Sequence, residues 1–191
     1  MLAREMFYNK MRHLLILILI SITNNSFAEI KDQIIKDLEN TTNISFNFEQ
    51  NINGKIENGN CIIQYPKKIY CNYDLANQKI LVSNGNSLVI KTNTSYYLYP
   101  LERTPLNLIL DKKFLVNKIK ESDERIIDEK FVNYKFIEKD NEINIFFNKE
   151  SYNLIGWQTL DVYQNLSITY ISKIKKNKKL KKKLFNLPQQ N

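Results

Sequence analysis

The sequence predicts a mainly β protein built on one curved antiparallel sheet, or partial barrel, of about ten to eleven strands. Three observations lead to this fold class. Most of the chain alternates apolar and polar residues with a period of two, which is typical of half-buried strands. Helical periodicity is confined to residues 29–40 and 103–122. The connections between the predicted strands are short, which favours antiparallel neighbours in a single sheet.

The segment of residues 1–28 has the composition of a secretory signal peptide. Basic residues precede the apolar run "LLILILISI" (residues 14–22), and the small-x-small motif "SFA" follows it. We expect cleavage after Ala28, which leaves residues 29–191 as one domain. The alternative is a membrane anchor, but the run is about half of the roughly 20 residues that span a bilayer. Because the basic stretch is long, Met6 and Met11 are alternative starts.

The composition of the mature domain argues against catalysis. The only histidine, His13, lies in the predicted leader, so no histidine base or histidine metal ligand remains. The chain has four glycines, none in a phosphate-binding loop, and no serine-centred elbow. We therefore expect no enzyme activity, no catalytic residues, no metal and no other cofactor. Nucleic acid is not an expected partner of an exported protein, despite the net charge of +8.

Both cysteines lie in the stretch "CIIQYPKKIYCNY" (residues 61–73). If a hairpin folds symmetrically about Pro66, Cys61 and Cys71 face each other at a Cα separation of about 4.5–5.5 Å, which a disulfide bridges. In an oxidising compartment we expect that disulfide. Two thiolates alone do not complete a zinc site, and the spacing is not that of a redox C-x-x-C motif. The alternative is two reduced, apolar side chains under the sheet.

The first half of the mature chain predicts one helix followed by strands. The segment "EIKDQIIKDLEN" (residues 29–40) repeats isoleucine or leucine every four residues, which indicates an amphipathic helix. The segment "NISFNFEQNI" then alternates and predicts the first strand. Asn-Gly pairs predict turns at residues 53–54, 58–59 and 84–85. The other predicted strands flank Pro66, form a hairpin over residues 78–92 and occupy residues 94–101.

The second half begins with a helical interruption and returns to strands. In "RTPLNLILDKKFLVNKIKES" (residues 103–122), Thr104 is predicted to cap a short helix, with the following proline at its first position. The apolar stripe of this helix comprises Leu106, Ile109 and Leu110. The alternating runs that follow predict strands at residues 125–139, 142–150, 154–163, 166–174 and 183–188.

Eight lysines lie in the segment "KIKKNKKLKKK" (residues 173–183). One interpretation is a solvated outer edge whose charge discourages pairing with other strands. The other is an electrostatic surface for anionic lipid headgroups or for an acidic partner. Near an anionic membrane, each lysine contributes about 1 kcal/mol. The sequence alone leaves both interpretations open.

The order of these motifs resembles the LolA family of periplasmic outer-membrane lipoprotein carriers. The likeness runs from about Ile30 to Pro188, and the order and spacing of several segments carry it. These segments are "FNFEQ", a hairpin around "YP", "QKILVSNGNSLVI", "TPLNLIL", "LIGWQTLDVYQNLSITYIS" and "LFNLP". The resemblance implies a half-open β-barrel whose short helices form a lid over the concave face, where acyl chains lie. Residues 29–40 and 104–115 are the available covers.

The resemblance also implies partners and a location. The protein would take lipoproteins from the inner-membrane complex LolCDE to an outer-membrane receptor such as LolB, as a soluble periplasmic monomer. The alternative is a LolA-like module that senses or regulates through lipids or lipoproteins. The expected cargo is lipoprotein, with glycolipid and free lipid left open. The residues expected to contact acyl chains, or else to pack only as core, are Phe46, Phe48, Tyr65, Tyr73, Val82, Ile90, Leu106, Ile109, Leu110 and Trp157.

Two features depart from the family pattern. Members tend to carry an arginine just before the proline of the second hairpin, where it holds the lid by hydrogen bonds. Here that residue is Tyr65, whose phenol donates one hydrogen bond and supplies no charged fork. Cys61 and Cys71 occupy positions where bulky apolar or aromatic residues are expected.

Overall fold

A computed structural model of the chain describes residues 29–74, 77–138, 141–160 and 165–190. The predicted leader, residues 1–28, lies outside this part of the chain, and so does the end of the strand predicted over residues 154–163. Within the described residues, no helix combines the length and the apolar character needed to span a bilayer.

Eleven strands in the described part of the chain form one antiparallel sheet. They are β1 (Asn43–Ile52), β2 (Lys55–Gln64), β3 (Lys68–Tyr73), β4 (Ile80–Asn84), β5 (Ser87–Lys91), β6 (Tyr96–Pro100), β7 (Glu124–Ile127), β8 (Phe131–Glu138), β9 (Asn141–Asn148), β10 (Leu154–Leu160) and β11 (Leu166–Lys176). Their order across the sheet is β6-β5-β4-β3-β2-β1-β11-β10-β9-β8-β7. Because β6 and β7 remain as edges, the sheet stays open, and the predicted half-open fold is confirmed.

Four helical segments accompany the sheet in the described chain. They are α1 (residues 29–40), a 3-10 helix (Leu101–Arg103), α2 (Leu106–Ile109) and α3 (Lys112–Glu121). Thr104 does not cap α2 as predicted. Its hydroxyl donates to the Leu101 carbonyl at 2.8 Å, and the cap position is Pro105. The effective cap lies one helix later, where the Asp111 carboxylate accepts a hydrogen bond from the Phe114 N–H at 3.1 Å.

Three predicted elements differ in the structure. The strand predicted over residues 125–139 is two strands, β7 and β8, separated by a turn in which Asp128 and Glu129 have φ values of 50° and 55°. The Asn-Gly pair at residues 58–59 lies inside β2 rather than in a turn. Residues 183–188 form no strand. They belong to the segment of residues 177–190, which we call the C-terminal strap.

The helices α1 and α3 cover the half of the sheet that ends at β7. Lys31 of α1 lies 3.0 Å from Glu124 of β7, and Lys118 of α3 lies 3.3 Å from Glu138 of β8. The ring of Phe114 in α3 meets a β8 phenylalanine edge to face, with centroids 5.6 Å apart. This half is a closed core. Its buried strand residues are Val132, Tyr134, Phe136, Ile143, Ile145 and Phe147.

The C-terminal strap crosses the convex face of β1 to β6. At its start, the Asn177 side chain accepts a hydrogen bond from the Thr42 N–H at 2.8 Å. At its end, the Pro188 carbonyl accepts one from the Tyr96 hydroxyl at 3.2 Å. On the same face, five apolar side chains follow one another in register across β2 to β6. They are Ile62, Tyr70, Val82, Val89 and Leu98, of which Val82 is 1% exposed and Val89 is 0% exposed.

The lysine-rich segment spans the end of β11 and the strap. Seven of its eight lysine side chains are exposed, and the eighth, Lys176, binds Asp37 of α1. Leu180 lies among these lysines and Leu184 directly follows the last one, and both leucines are partly buried. The strap therefore turns apolar residues toward the sheet and positive charge toward solvent, on the side of the molecule opposite to the concave face.

Candidate functional site

A cavity of about 300 Å³ lies between the concave face of the sheet and α2. Strands β1 to β6 supply most of its wall, β10 and β11 supply one side, and residues 104–109 form its roof. The roof confirms one of the two predicted covers. The other, α1, lines no part of this cavity, because it packs on the closed half of the sheet.

Seven of the ten predicted contact residues line this cavity. They are Phe46, Phe48, Tyr73, Ile90, Leu106, Ile109 and Trp157. Leu110 is completely buried at the end of α2 and does not line the cavity. Tyr65 lies outside the lining, where the lid meets the β2–β3 turn. Contact of any of these side chains with an acyl chain stays a prediction.

The face predicted for Val82 is wrong by one residue. Leu81 lines the cavity, while Val82 points to the convex side, in register with Tyr70 and Val89. The physical reason is that the strap covers β4 from outside, so residues on both of its faces are buried. A strand buried on both faces loses the alternation that reveals which face is concave.

Two aromatic pairs form the floor of the cavity on β1. The Phe46 ring meets Trp157 edge to face, with centroids 6.4 Å apart, and the Phe48 ring meets Tyr73 at 4.9 Å. A Cβ at Gly59 on β2 would lie 2.1 Å from the Asn72 carbonyl oxygen of β3 and 2.8 Å from the Phe48 ring, so this position has room only for glycine. This close approach explains why an Asn-Gly pair sits within a strand instead of in a turn.

The two cysteines form part of the cavity wall. Cys61 and Cys71 pair directly in the β2–β3 register, with Cα atoms 4.1 Å apart, and a disulfide joins them. Their side chains are 5% and 4% exposed, and both line the cavity. The predicted symmetry about Pro66 thus places a covalent crosslink in the wall of the cavity.

One end of the cavity is polar. The side-chain amide of Gln50 donates hydrogen bonds from Nε2 to Ser167 Oγ at 3.2 Å and to Thr169 Oγ1 at 3.3 Å. Thr159 lines the same end, and Lys79 borders it. This end lies toward the β1–β2 turn, away from the lid attachment near Tyr65.

An ion-paired carboxylate anchors Lys79 at the polar end. The Lys79 ammonium binds Glu57 and lies 4.0 Å from the centroid of the Tyr73 ring. Burial alone raises the pKa of Glu57, but hydrogen bonds from Lys79 and Lys55 outweigh it and hold that pKa below its usual value. Burial also raises the pKa of the Tyr73 phenol, and Glu57 adds to this. Near neutral pH the carboxylate is therefore ionised and the phenol neutral.

Charged and backbone groups attach the lid at the opposite end. The Lys67 N–H in the β2–β3 turn donates to the Leu110 carbonyl at 2.9 Å, and the Lys67 ammonium lies 3.3 Å from the Asp111 carboxylate. On the other side, the Lys112 ammonium donates to the carbonyls of Glu39 and Thr41, both at 2.9 Å. These contacts join the α2–α3 junction to the β2–β3 turn and to the end of α1.

Tyr65 stands among these contacts without making one through its hydroxyl. In the described chain, the buried Tyr65 oxygen has no hydrogen-bond partner, and the Lys112 ammonium lies 5.9 Å from the ring centroid. Burial raises the pKa of the Tyr65 phenol, and the Asp37 carboxylate adds to the effect, so the hydroxyl keeps its proton. Lys67 and Lys112, and not the Tyr65 hydroxyl, make the hydrogen bonds and the ion pair at this end of the cavity.

Among the described residues, no group of three or more histidine, cysteine, aspartate or glutamate side chains is placed to hold a metal ion. Several apolar members of the cavity and its whole polar end were not predicted from the sequence. Four of them, Gln50, Ile69, Leu88 and Thr159, lie at even spacings from predicted members on the same strand, so parity could have found them. Four others had no such signal: Leu81, Tyr99, Ser167 and Thr169.

The fold and the site together define a half-open β-barrel with an apolar cavity under a short helical roof. The chain belongs to the LolA family, since the family model described as outer membrane lipoprotein carrier protein LolA matches residues 39–188. This match contains every residue that lines the cavity. No curated protein sequence matches the chain.

Solved structures resemble this chain at low sequence identity. An uncharacterized conserved protein from Thermus thermophilus has a TM-score of 0.50 and 9% identity, covering 85% of this chain and 94% of that chain. A LolA superfamily protein from Nitrosomonas europaea has a TM-score of 0.44 and 8% identity, covering 82% and 97%. A putative outer membrane lipoprotein-sorting protein domain from Vibrio parahaemolyticus has a TM-score of 0.46 and 8% identity, covering 82% of this chain and 94% of that chain. At 9% identity, the Thermus likeness shows the fold alone.

Proposed function

We propose that this protein is a periplasmic carrier that shields the acyl chains of lipoproteins between the inner and the outer membrane. Membership in the LolA family supports a carrier-like role in lipoprotein binding. The observation that carries the proposal is the apolar cavity, whose roof is a single four-residue helix attached by polar contacts at one end. Such a roof can lift without exposing the closed core under α1 and α3.

The cavity is small for the acyl chains of a lipoprotein, which supports a proposal in which the lid lifts and the chains are only partly buried. About 300 Å³ lies at the low end of the roughly 300–1,000 Å³ typical of small-ligand sites. Complete burial of three long acyl chains would be worth about 30 kcal/mol or more. That exceeds the practical ceiling of about 18–21 kcal/mol for non-covalent binding. Because the chains come from one membrane and enter another, partial burial on a half-open sheet suffices and favours release.

The finer parts of the proposal concern delivery. Residues 1–28 would be removed during export, and the mature protein would act as a monomer. It would receive cargo from an inner-membrane complex of the LolCDE type and pass it to a receptor of the LolB type or to the outer membrane itself. The exposed lysines of residues 173–183 lie on the convex side, so contacts through them would leave the concave face free for cargo.

The proposal is tested by recovering the protein from the periplasm of the cells that make it. We expect the intact mass to correspond to residues 29–191, and mass spectrometry of the purified protein to find co-eluting acylated peptides. The variant Leu81→Glu, which places a charge in the cavity, should lose this cargo. The variant Tyr170→Glu, on an outward-facing residue that is 60% exposed, should keep it. Equal cargo on both variants would contradict the proposed site.

Weakening the lid attachment should speed ligand entry. The Lys112 ammonium makes two hydrogen bonds to the end of α1, and bonds from charged groups are worth about 1.5–3 kcal/mol each. We therefore expect Lys112→Met to increase the entry rate of an apolar fluorophore about tenfold, measured by stopped-flow fluorescence. The neighbouring Lys113→Met is the matched control, because Lys113 is exposed. An unchanged rate in Lys112→Met would show that this contact does not hold the lid.

A further inference from the structure

Three hydroxyl groups and one amide form a polar row on the concave face. The register pairs Gln50 with Thr169, and Thr159 with Ser167, so the four side chains follow one another across β1, β11 and β10. All four line the cavity. Thr159, Ser167 and Thr169 are only 9%, 6% and 4% exposed. The row is therefore a buried polar feature in a mainly apolar wall.

The hydroxyl groups of the polar row have protons that are not used in hydrogen bonds. The Gln50 amide donates to the oxygens of Ser167 and Thr169, and this uses those oxygens as acceptors. Within the described chain, neither hydroxyl donates its own proton to an acceptor, and the Thr159 hydroxyl makes no hydrogen bond. The Gln50 carbonyl oxygen lies 3.5 Å from the Tyr73 hydroxyl, a long contact. The Thr159 oxygen is not among the fully buried oxygens without a partner in the described chain, so these hydroxyls face the cavity, where a ligand can supply an acceptor.

We infer that the polar row binds the carbonyl oxygen of an acyl ester or acyl amide, with the hydrocarbon chain lying along β1. This inference rests on the proposed carrier function and specifies how its ligand is oriented. An ester carbonyl offers acceptor lone pairs and brings no proton of its own, which matches three unused hydroxyl donors. From Gln50 the concave positions Phe48 and Phe46 follow at steps of about 7 Å, which gives the chain an apolar path.

The charges around the row favour a neutral carbonyl over a free carboxylate. The cation nearest to this end, Lys79, is held by Glu57 and lies over the Tyr73 ring. Lys55 also binds Glu57, at 3.1 Å. Lys79 is the only cation among the described residues that line the cavity, and its ammonium is already paired with Glu57. The site offers hydroxyl donors without an available positive charge.

The test compares two ligands that differ only in a carbonyl group: methyl dodecanoate and dodecyl methyl ether. Their affinities for the mature protein are measured by displacement of an apolar fluorophore. We expect the wild type to prefer the ester about tenfold, as suits one or two added hydrogen bonds. The triple variant Thr159→Val, Ser167→Ala, Thr169→Val should bind both ligands equally while keeping the wild-type affinity for the ether.

A serine on the outward face of β11 provides the matched control. Ser172 is exposed and lies outside the cavity lining, so Ser172→Ala should keep the ester preference. An ester preference that persists in the triple variant would overturn the inference, as would a wild type that binds both ligands without preference. If the wild type binds neither ligand, the carrier function itself fails. Retained ether binding shows that the triple variant is folded.

Discussion

Replacing Val82 by glutamate is expected to destabilise the protein by about 3–5 kcal/mol, whereas the same change at Leu81 should leave the fold nearly intact and abolish acyl binding. Val82 is 1% exposed beneath the strap, so a carboxylate there would be buried without a partner. Leu81 is partly exposed and borders the cavity. A carboxylate at Leu81 can meet water when the lid lifts, but it removes apolar surface from the ligand path.

Two measurements on both variants separate these effects. Urea unfolding followed by circular dichroism gives the free energy of unfolding, and retention of an apolar fluorophore gives binding. Val82→Glu should show a large decrease of the unfolding midpoint. The fraction of molecules that remains folded should still bind the fluorophore. Leu81→Glu should unfold close to the wild type and bind nothing. If Leu81→Glu unfolds while Val82→Glu stays native, the assignment of the two faces of β4 is reversed.

Loss of the Cys61–Cys71 crosslink should cost about 3 kcal/mol, as the chain-entropy model gives for a loop this short. For a domain of this size, that corresponds to a decrease of about 6–12 °C in Tm. Thermal melts with and without a phosphine reductant measure the change. The double variant Cys61→Ala, Cys71→Ala should melt low in both conditions, because it has no disulfide to reduce.

A peptide map, read together with the melts, tests whether the disulfide forms in the cell. Peptide mapping of the exported protein under non-reducing conditions should recover the two cysteine peptides linked to each other. A wild type whose melt does not respond to the reductant, together with two free thiols in the map, would support the alternative of reduced side chains packed under the sheet.

The strands were predictable because most of them bury one apolar face and expose the other, polar face. Phe46 and Phe48 alternate with polar residues, and that pattern alone places both on the concave face. The turn at Asp128 and Glu129 was not predictable in this way. Both residues adopt positive φ without a glycine, so the run across them looks like one continuous strand.

The cavity was predictable in outline and not in its polar end. The apolar positions on β1, β3 and β10 are predicted by the alternation of apolar and polar residues. Ser167 and Thr169, in contrast, are residue types expected on the solvent-exposed face of a strand. Only the register that pairs Gln50 with Thr169 brings these residues to the concave side. The face of Val82 was predicted wrongly for a related reason. The strap that buries this face of β4 comes from residues 177–190, far along the chain.

The position of β1 at the middle of the sheet has a consequence for the order in which the protein can be made and folded. β1 pairs with β2, which follows it directly, and with β11, whose Thr169 lies 119 positions after Gln50. Until the ribosome has released nearly the whole chain, one edge of β1 has no partner. Pairings this distant in sequence form slowly. The sheet therefore becomes complete only at the end of synthesis, when β11 reaches the free edge of β1.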